Sequence, residues 1–259
     1  MEWRDVSGNW IVVPPQPRAI VHFLGGAFVA AAPQLTYRML LEALAEEGYV
    51  VVATPFVNNF DHVAIARQVV LAFDRALEYL HRDVFRYRHV PIYGLGHSMG
   101  CKLHLLIGSL YAEERAGNIL MAYNNYPARR SIPLLEQFSQ VTLMDVEFSP
   151  SPEETHDIIA EDYHVKRNLL VKFTQDNIDQ TRSLSQVIEP KFPDFTTIRI
   201  LKGNHLTPVG QDVRWQPGSS FSPLDAIGQF VKQEVYRDFH ELTRNVLLWL
   251  DPFSAMAQS

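Results

Sequence analysis

The sequence predicts an α/β fold in which helices cover both faces of a mostly parallel, doubly wound sheet. Short apolar or β-branched runs alternate with longer amphipathic stretches along the chain, which is the pattern of parallel strands joined by crossover helices. A chain of 259 residues, 47% hydrophobic and 20% charged, can also bury one large core. We therefore expect a single domain over residues 1–259.

The individual elements follow from local periodicity. The predicted strands are runs of apolar and β-branched residues, at 19–24, 49–54, 89–93, 118–123, 169–173 and 196–201. The predicted helices have apolar residues at helical spacing and cover 34–47, 61–81, 99–113, 180–188 and 223–250. Residues 3–15 contain a Ser-Gly-Asn turn signal between two tryptophans, which predicts an antiparallel hairpin at the sheet edge.

One segment interrupts the alternation. Residues 128–167 are short of strand signals and rich in proline and acidic residues, so we predict a lid or cap insertion there. Seven acidic residues and no lysine or arginine lie between 145 and 162, which is typical of a solvated acidic surface. The apolar residues of the insertion suggest an apolar acyl group as a ligand; they are Ile132, Leu134, Leu135 and Phe138.

Charge and cysteine content exclude several classes of partner. The 23 basic and 29 acidic residues give a net charge of −6, so nucleic acid is not an expected partner. The single cysteine, Cys101, and the lack of a secretory signal favour a cytoplasmic location. No apolar stretch reaches the roughly 20 residues that a transmembrane helix needs. The histidines show no metal-ligand spacing, so neither a metal nor a cofactor is expected.

The run Gly-His-Ser-Met-Gly at 96–100 carries the chemistry. It matches G-x-S-x-G between a predicted strand and a predicted helix, which is the context of a nucleophile elbow. A tight strand-to-helix turn exposes the serine, and the flanking glycines let the backbones approach. The sequence therefore predicts Ser98 as a nucleophile, although a serine that only caps the helix would show the same local pattern.

A serine nucleophile needs a base and an acid, and both are available at later strand ends. His205 follows the predicted strand 196–201, and Asp176 follows the predicted strand 169–173. Because parallel strands end at the same edge of a sheet, Ser98, Asp176 and His205 should converge as a Ser-His-Asp triad. Asp179 is the alternative acid, since it lies in the same loop.

The oxyanion hole is predicted at two backbone positions. The amide of Met99 opens the helix after the elbow, where free N–H groups point toward the nucleophile. The second amide comes from the loop after the strand 19–24, at Ala27 or Phe28, and the sequence leaves this choice open.

With these residues, the chain resembles the α/β-hydrolase superfamily. More narrowly, the motifs HFLGGAF at 22–28, GLGHSMGCKL at 94–103 and GNHLTP at 203–208 resemble a cyanobacterial and plastid family known as a domain of unknown function. The resemblance implies the α/β-hydrolase fold, a serine-hydrolase site and a photosynthetic source. The loop at 22–28 departs from the His-Gly-Gly of many esterases, which leaves the second oxyanion amide undetermined.

Two classes of function fit these residues. The first is a cofactor-free serine hydrolase, of carboxylesterase, lipase or thioesterase type, that acts on a small-molecule ester or thioester through an acyl-enzyme. The second is a non-catalytic scaffold or binding protein with the same fold, because folds of this kind are reused without their chemistry. An acyltransferase with the same triad differs from the first only in the acceptor of the acyl group.

Overall fold

The computed structural model describes residues 1–27, 29–127, 147–209 and 223–252, with side chains of the last range from residue 236 onward. The described residues form eight strands: β1 (Arg4–Val6), β2 (Asn9–Val12), β3 (Ala19–Leu24), β4 (Tyr49–Ala53), β5 (Ile92–His97), β6 (Gly117–Met121), β7 (Asn168–Phe173) and β8 (Thr196–Leu201). The helices are α1 (Pro33–Thr36), α2 (Arg38–Glu46), α3 (His62–Tyr79), α4 (Met99–Leu110), α5 (Pro152–Asp162), α6 (Thr181–Ile188) and α7 (Pro223–Leu250).

The strands form one sheet in the order β1-β2-β4-β3-β5-β6-β7-β8. The pairs β1–β2 and β2–β4 are antiparallel, so the N-terminal hairpin lies at the sheet edge as predicted. The pairs from β4 through β3 to β8 are all parallel. The predicted α/β class and doubly wound sheet are therefore confirmed.

Burial explains why the central strands are nearly continuous apolar runs. Every residue of β3 and of β4 is buried, because helices cover both faces of the sheet. On one face, α2 contributes Leu40, Leu41 and Leu44 to a cluster that contains Val21 and Phe23 of β3. The carboxyl ends of β3 and β5 lie side by side where the strand order reverses, which is where sheets of this kind bind ligands.

Most element boundaries lie within three residues of the prediction, and two elements differ in a way that affects the site. The fifth strand was expected at 89–93, but β5 is Ile92–His97 and runs directly into Ser98. A Cβ at Gly94 would lie 2.2 Å from the Asn118 side-chain oxygen, so Gly94 is needed for close packing within the strand and not for a turn. The helix expected over 34–47 is divided at Tyr37 into α1 and α2.

The predicted insertion is described only in part. Its residues 128–146 lie outside the described residues, and so do all four of its apolar residues at 132–138. The described part, 147–167, contains α5, whose Ile159 belongs to a buried cluster with Cys101 and Leu105 of α4. This part packs on the core of the domain. Whether 128–146 covers the site stays a prediction.

Within the described ranges, no helix is long and apolar enough to cross a membrane. The cytoplasmic location and the lack of nucleic-acid partners stay predictions.

Candidate active site

Ser98 lies on a strained turn between β5 and α4. Its backbone has φ 55° and ψ −118°, a left-handed conformation that non-glycine residues rarely adopt. A Cβ at Gly100 would lie 2.0 Å from the Leu24 carbonyl oxygen, and one at Gly96 would lie 2.7 Å from the Cys101 nitrogen. Both flanking glycines are therefore required by close backbone approach, and the turn holds the Ser98 side chain at the carboxyl edge of the sheet.

The structure brings Ser98, His205 and Asp176 together. The Ser98 hydroxyl lies 3.1 Å from His205 Nε2, and His205 Nδ1 lies 2.8 Å from Asp176 Oδ2. Because a carboxylate only accepts, Nδ1–H donates to Asp176, and Nε2 of the neutral ring is left to accept from Ser98. The three groups form a continuous hydrogen-bonded chain from the nucleophile position to a buried carboxylate.

Asp176 is held as an ionised acceptor. Burial alone would raise the pKa of Asp176, but the hydrogen bond and charge of His205, the Ile178 amide and Lys172 together lower it. The Ile178 N–H donates to Asp176 Oδ1 at 3.0 Å, so the second carboxylate oxygen is also fixed.

Asp179, the alternative acid, has a different role. Its oxygens accept hydrogen bonds from Lys172 Nζ at 2.8 Å and from the hydroxyl and amide of Thr181 at 2.8 and 3.1 Å. These contacts place Asp179 at the start of α6, where a carboxylate satisfies free helix amides. Asp176, not Asp179, is the carboxylate that contacts His205.

The predicted oxyanion positions face the same space. Met99 and Ala27 both line the cavity that contains Ser98 and His205. The Val29 N–H donates to the Gly26 carbonyl at 3.0 Å, a hydrogen bond that does not involve the Ala27 amide. Phe28, the alternative donor, lies outside the described residues.

A second hydrogen-bonded chain joins the loop after β3 to His205, and sequence reasoning missed it. His97 Nε2 lies 2.8 Å from the His205 carbonyl oxygen, so it carries the proton and donates. His97 Nδ1 then accepts from the Tyr37 hydroxyl at 2.7 Å, and the Gly26 N–H donates to the Tyr37 oxygen at 2.9 Å. Burial and the nearby His205 lower the pKa of His97 to about 3, which keeps this ring neutral.

This chain makes His97 and Tyr37 positioning residues for two parts of the site at once. His97 holds the backbone of His205, and Tyr37 holds the glycine loop beside Ala27. The sequence signal was weak: a histidine before Ser98 is visible, but its partner Tyr37 is distant in sequence and reaches it only through the break between α1 and α2.

The cavity beside Ser98 has a volume of about 380 Å³. One wall, which we call the hydrogen-bonded wall, consists of Ser98, His97 and His205 with Asp176 and Tyr37 behind them. A second part of the lining, which we call the cationic wall, consists of Lys102, His62 and Phe148. In the described part of the chain, no group of three or more histidine, cysteine, aspartate or glutamate side chains could hold a metal ion.

Solved structures with a similar fold include esterases and a thioesterase domain. A thermophilic esterase of the Planctomycetes species Thermogutta terrifontis is 14% identical, with a TM-score of 0.56 over 96% of this chain and 92% of that chain. An esterase of Pyrococcus furiosus is 14% identical, with a TM-score of 0.54 over 94% of this chain and 90% of that chain. The thioesterase domain from the curacin biosynthetic pathway is 18% identical, with a TM-score of 0.51 over 80% and 94% of the respective chains. The chain therefore has the α/β-hydrolase fold.

The comparison with curated proteins gives no match. The resemblance predicted from the motifs is confirmed at the level of the α/β-hydrolase fold and a family without assigned function, while the photosynthetic source stays a prediction. Residues 2–252 match the model of the family described as "Protein of unknown function (DUF1350)", and the chain belongs to that family.

Proposed function

We propose that the protein is a serine hydrolase that cleaves a carboxylic ester or thioester through an acyl-enzyme intermediate. The observation that carries the proposal is the hydrogen-bonded chain from Ser98 through His205 to Asp176, at 3.1 and 2.8 Å. This geometry is the one that activates a serine hydroxyl, because the base is within reach and the carboxylate fixes its tautomer.

The proposed reaction follows from these roles. His205 Nε2 takes the Ser98 proton while the serine oxygen attacks the substrate carbonyl, and the carbonyl electron pair moves onto oxygen. The amides of Met99 and Ala27 are our candidates for stabilising that oxyanion. His205 then gives its proton to the departing alcohol or thiol, which leaves an acyl group on Ser98. Water, deprotonated by His205, attacks the acyl group and releases a carboxylic acid.

The surroundings of Ser98 support a catalytic role over a structural one. A serine that only caps a helix needs neither a left-handed backbone nor a histidine within hydrogen-bond reach, and Ser98 has both. The side chain of Ser98 makes no capping hydrogen bond to α4. The strained turn therefore has no local structural benefit, and strain of this kind is typical of functional positions.

The cavity supports a small substrate. A volume of about 380 Å³ accommodates an acyl chain of modest length, and the apolar residues Val29, Ile178 and Leu206 contribute to its lining. We keep a small-molecule ester or thioester as the proposed substrate class.

A fluorophosphonate probe tests the proposal, because it reacts only with an activated serine. We expect covalent labelling at Ser98, located by mass spectrometry of the digested protein, and loss of labelling in Ser98→Ala. Ser109→Ala is the matched control: Ser109 lies on the same helix and donates to the Leu105 carbonyl, so its loss should leave labelling unchanged. Failure of the folded wild-type protein to label would favour a non-catalytic scaffold instead.

A further inference from the structure

Lys102 is buried in the helix that carries Ser98. It lies one helical turn after Ser98, is only 2% exposed, and lines the same cavity. Its Nζ donates one hydrogen bond, to the Pro150 carbonyl at 3.0 Å. An ammonium group has three N–H donors, and Lys102 forms no ion pair with a carboxylate in the described part of the chain. The exposed Glu154 carboxylate acts on Lys102 electrostatically but forms no ion pair with it, so the buried amine faces the cavity with no described carboxylate in contact.

His62 lies on the same wall with both of its ring nitrogens unpartnered. It is 3% exposed, and neither Nδ1 nor Nε2 has a hydrogen-bond partner among the described residues. Burial and the charge of Lys102 lower the pKa of His62 to about 3, so the ring is neutral and offers one N–H donor. Buried polar groups without partners are rare in folded proteins, and each calls for an explanation such as a bound water, ion or ligand.

Phe148 joins the two groups into one cluster. Its ring lies 4.4 Å from the His62 ring, between centroids, and 5.9 Å from Lys102 Nζ. The neighbouring Ser149 carbonyl accepts the His62 backbone N–H at 2.7 Å, which fixes the segment 148–150 against the start of α3. The cationic wall is therefore preorganised. The His62 backbone is held by the Ser149 carbonyl, and the Lys102 side chain is held by the Pro150 carbonyl.

We propose that Lys102 and His62 form a subsite for a carboxylate, so that the acyl group transferred to Ser98 carries a free carboxylate at its far end. This inference rests on the proposed function and names its substrate class. A carboxylate supplies one negative charge for Lys102 and a second oxygen that can accept from His62. A phosphate fits less well, because a dianion needs more donors than these two side chains offer.

The spacing along α4 favours a short acyl chain. The Cβ atoms of residues spaced four apart on a helix lie about 5–6 Å from each other. A chain of a few carbons attached to the Ser98 oxygen therefore spans the distance to the Lys102 side chain. The substrate class is a half-ester or half-thioester of a short dicarboxylic acid.

Matched pairs of substrates test the inference. The p-nitrophenyl half-esters of succinate, glutarate and adipate would be compared with p-nitrophenyl butyrate, pentanoate and hexanoate, which have equal chain length and no carboxylate. We expect at least one half-ester to exceed its neutral match in kcat/KM by about tenfold or more, as a hydrogen bond to a charged group provides. The absence of a preference in all three pairs would overturn the inference without any variant.

Variants assign the preference to the cationic wall. In Lys102→Met, the kcat/KM of the half-ester relative to its neutral match should fall about tenfold, because the substitution removes the charge and keeps a similar side-chain volume. The matched control is Lys191→Met, since Lys191 also donates to backbone carbonyls, at Ile159, Ala160 and Glu161, but lies outside the cavity. Lys191→Met should keep the full ratio. A preference that survives in Lys102→Met would contradict the subsite, and His62→Phe gives a second variant if Lys102→Met does not fold.

A binding measurement separates this inference from the proposed function. Calorimetry with Ser98→Ala protein and monomethyl glutarate should show binding that weakens about tenfold in the Ser98→Ala/Lys102→Met double variant. If the fluorophosphonate probe labels Ser98 but binding of the half-ester does not depend on Lys102, the subsite is overturned and the proposed hydrolase function is unaffected. Binding that depends on Lys102, in a protein whose Ser98 never labels, would support the subsite and overturn the hydrolase.

Discussion

The two walls of the cavity differ in how their buried polar atoms are partnered. On the hydrogen-bonded wall, both ring nitrogens of His97 and of His205 have partners, and so do the Tyr37 hydroxyl and both Asp176 oxygens. On the cationic wall, neither ring nitrogen of His62 has a partner among the described residues, and the side-chain oxygen of Asn58, which lines the same cavity, has none either. The polar groups of the first wall are fixed by hydrogen bonds within the protein, whereas those of His62 are not.

The difference has an energetic meaning. A buried polar group left without a partner costs about 1–3 kcal/mol, so the cationic wall lowers the stability of the free protein. A fully partnered network gains rigidity instead, because each hydrogen bond fixes the next. If the proposed roles are correct, the reacting groups are held in place by the fold, whereas the substrate-recognising groups gain their partners only on binding.

Asp176→Asn has the largest expected effect. The asparagine keeps the shape of the side chain but can no longer accept as a carboxylate, so His205 loses the partner that fixes its tautomer. We expect kcat to fall by about 10⁴-fold, as for other triads that lose only the carboxylate. Steady-state hydrolysis of a p-nitrophenyl ester, with circular dichroism to verify folding, provides the measurement.

Asp179→Asn is the matched control for that change. It removes a carboxylate from the same loop and weakens the contacts with Lys172 and Thr181. Stability should fall by about 1–2 kcal/mol, while kcat stays within a few-fold of the wild-type value. If Asp179→Asn abolished activity and Asp176→Asn did not, our assignment of the acid would be wrong.

The pH dependence of substrate preference has the second-largest expected effect. Burial lowers the pKa of Lys102 to about 7, so its charge is present below pH 7 and is lost as the pH rises. The kcat/KM of a half-ester relative to its neutral match should therefore fall roughly tenfold to a hundredfold between pH 6 and pH 9, because a hydrogen bond to a charged group contributes about 1.5–3 kcal/mol. Changes in the ionisation of the triad cancel in this ratio.

Neighbouring groups do not change this expectation. His62 on α3 is neutral because its pKa is about 3, and burial lowers the pKa of His156 on α5 as well. Hydrogen bonds from Ser151 lower the pKa of Glu154, so this carboxylate stays ionised over the same range. Among Lys102 and these described neighbours, only Lys102 changes its charge between pH 6 and pH 9. A ratio that is flat from pH 6 to pH 9 would argue against it as the recognition group.

Tyr37→Phe has a smaller expected effect, on the hydrogen-bonded wall. The hydroxyl that joins the Gly26 amide to His97 is lost, so the glycine loop and the His205 backbone lose their common anchor. We expect kcat to fall about tenfold with little change in KM, and stability to fall by about 1–2 kcal/mol. The rate of fluorophosphonate labelling should fall in parallel with kcat.

Tyr163→Phe is the control for Tyr37→Phe. The Tyr163 hydroxyl also bridges two partners, since it accepts from Asn118 at 2.8 Å and donates to Asn168 at 2.7 Å, but it lies away from the cavity. Tyr163→Phe should lose about as much stability as Tyr37→Phe and keep the wild-type kcat. Equal losses of kcat in the two variants would show that Tyr37 acts through stability alone.

The hydrogen-bonded wall was partly predictable from sequence, for a topological reason. Parallel strands end at one edge of a sheet, so residues that follow β5, β7 and β8 must lie near one another wherever they occur in the chain. Ser98, Asp176 and His205 could be selected on that basis. His97 was visible as a residue of the elbow, but Tyr37 was not, because its approach depends on the break between α1 and α2.

The cationic wall could not be predicted in the same way. Lys102 has an ordinary sequence context, apart from being charged in a helix whose residues from Met99 to Gly108 are all buried. What buries its ammonium group is the segment 148–150, which crosses to the start of α3 through an isolated bridge between Ser149 and Asp61. That crossing comes from tertiary packing and has no local periodicity.

Lys102→Met should have the smallest effect on the free energy of unfolding and the opposite sign to Tyr37→Phe. The substitution leaves the Pro150 carbonyl without its donor but removes a buried, unpaired charge, so we expect a gain of about 1 kcal/mol at pH 7. Folding lowers the pKa of Lys102 from 10.5 to about 7, so the unfolded chain binds more protons between these values. The wild-type protein therefore becomes more stable as the pH rises through this range, and the advantage of the methionine variant should shrink from pH 7 to pH 10. Urea unfolding at several pH values measures this, with Lys191→Met as the control that shows no such gain. A loss of stability in Lys102→Met at pH 7 would mean that the Pro150 carbonyl contact stabilises the protein by more than the buried charge destabilises it. The cationic wall would then not lower the stability of the free protein.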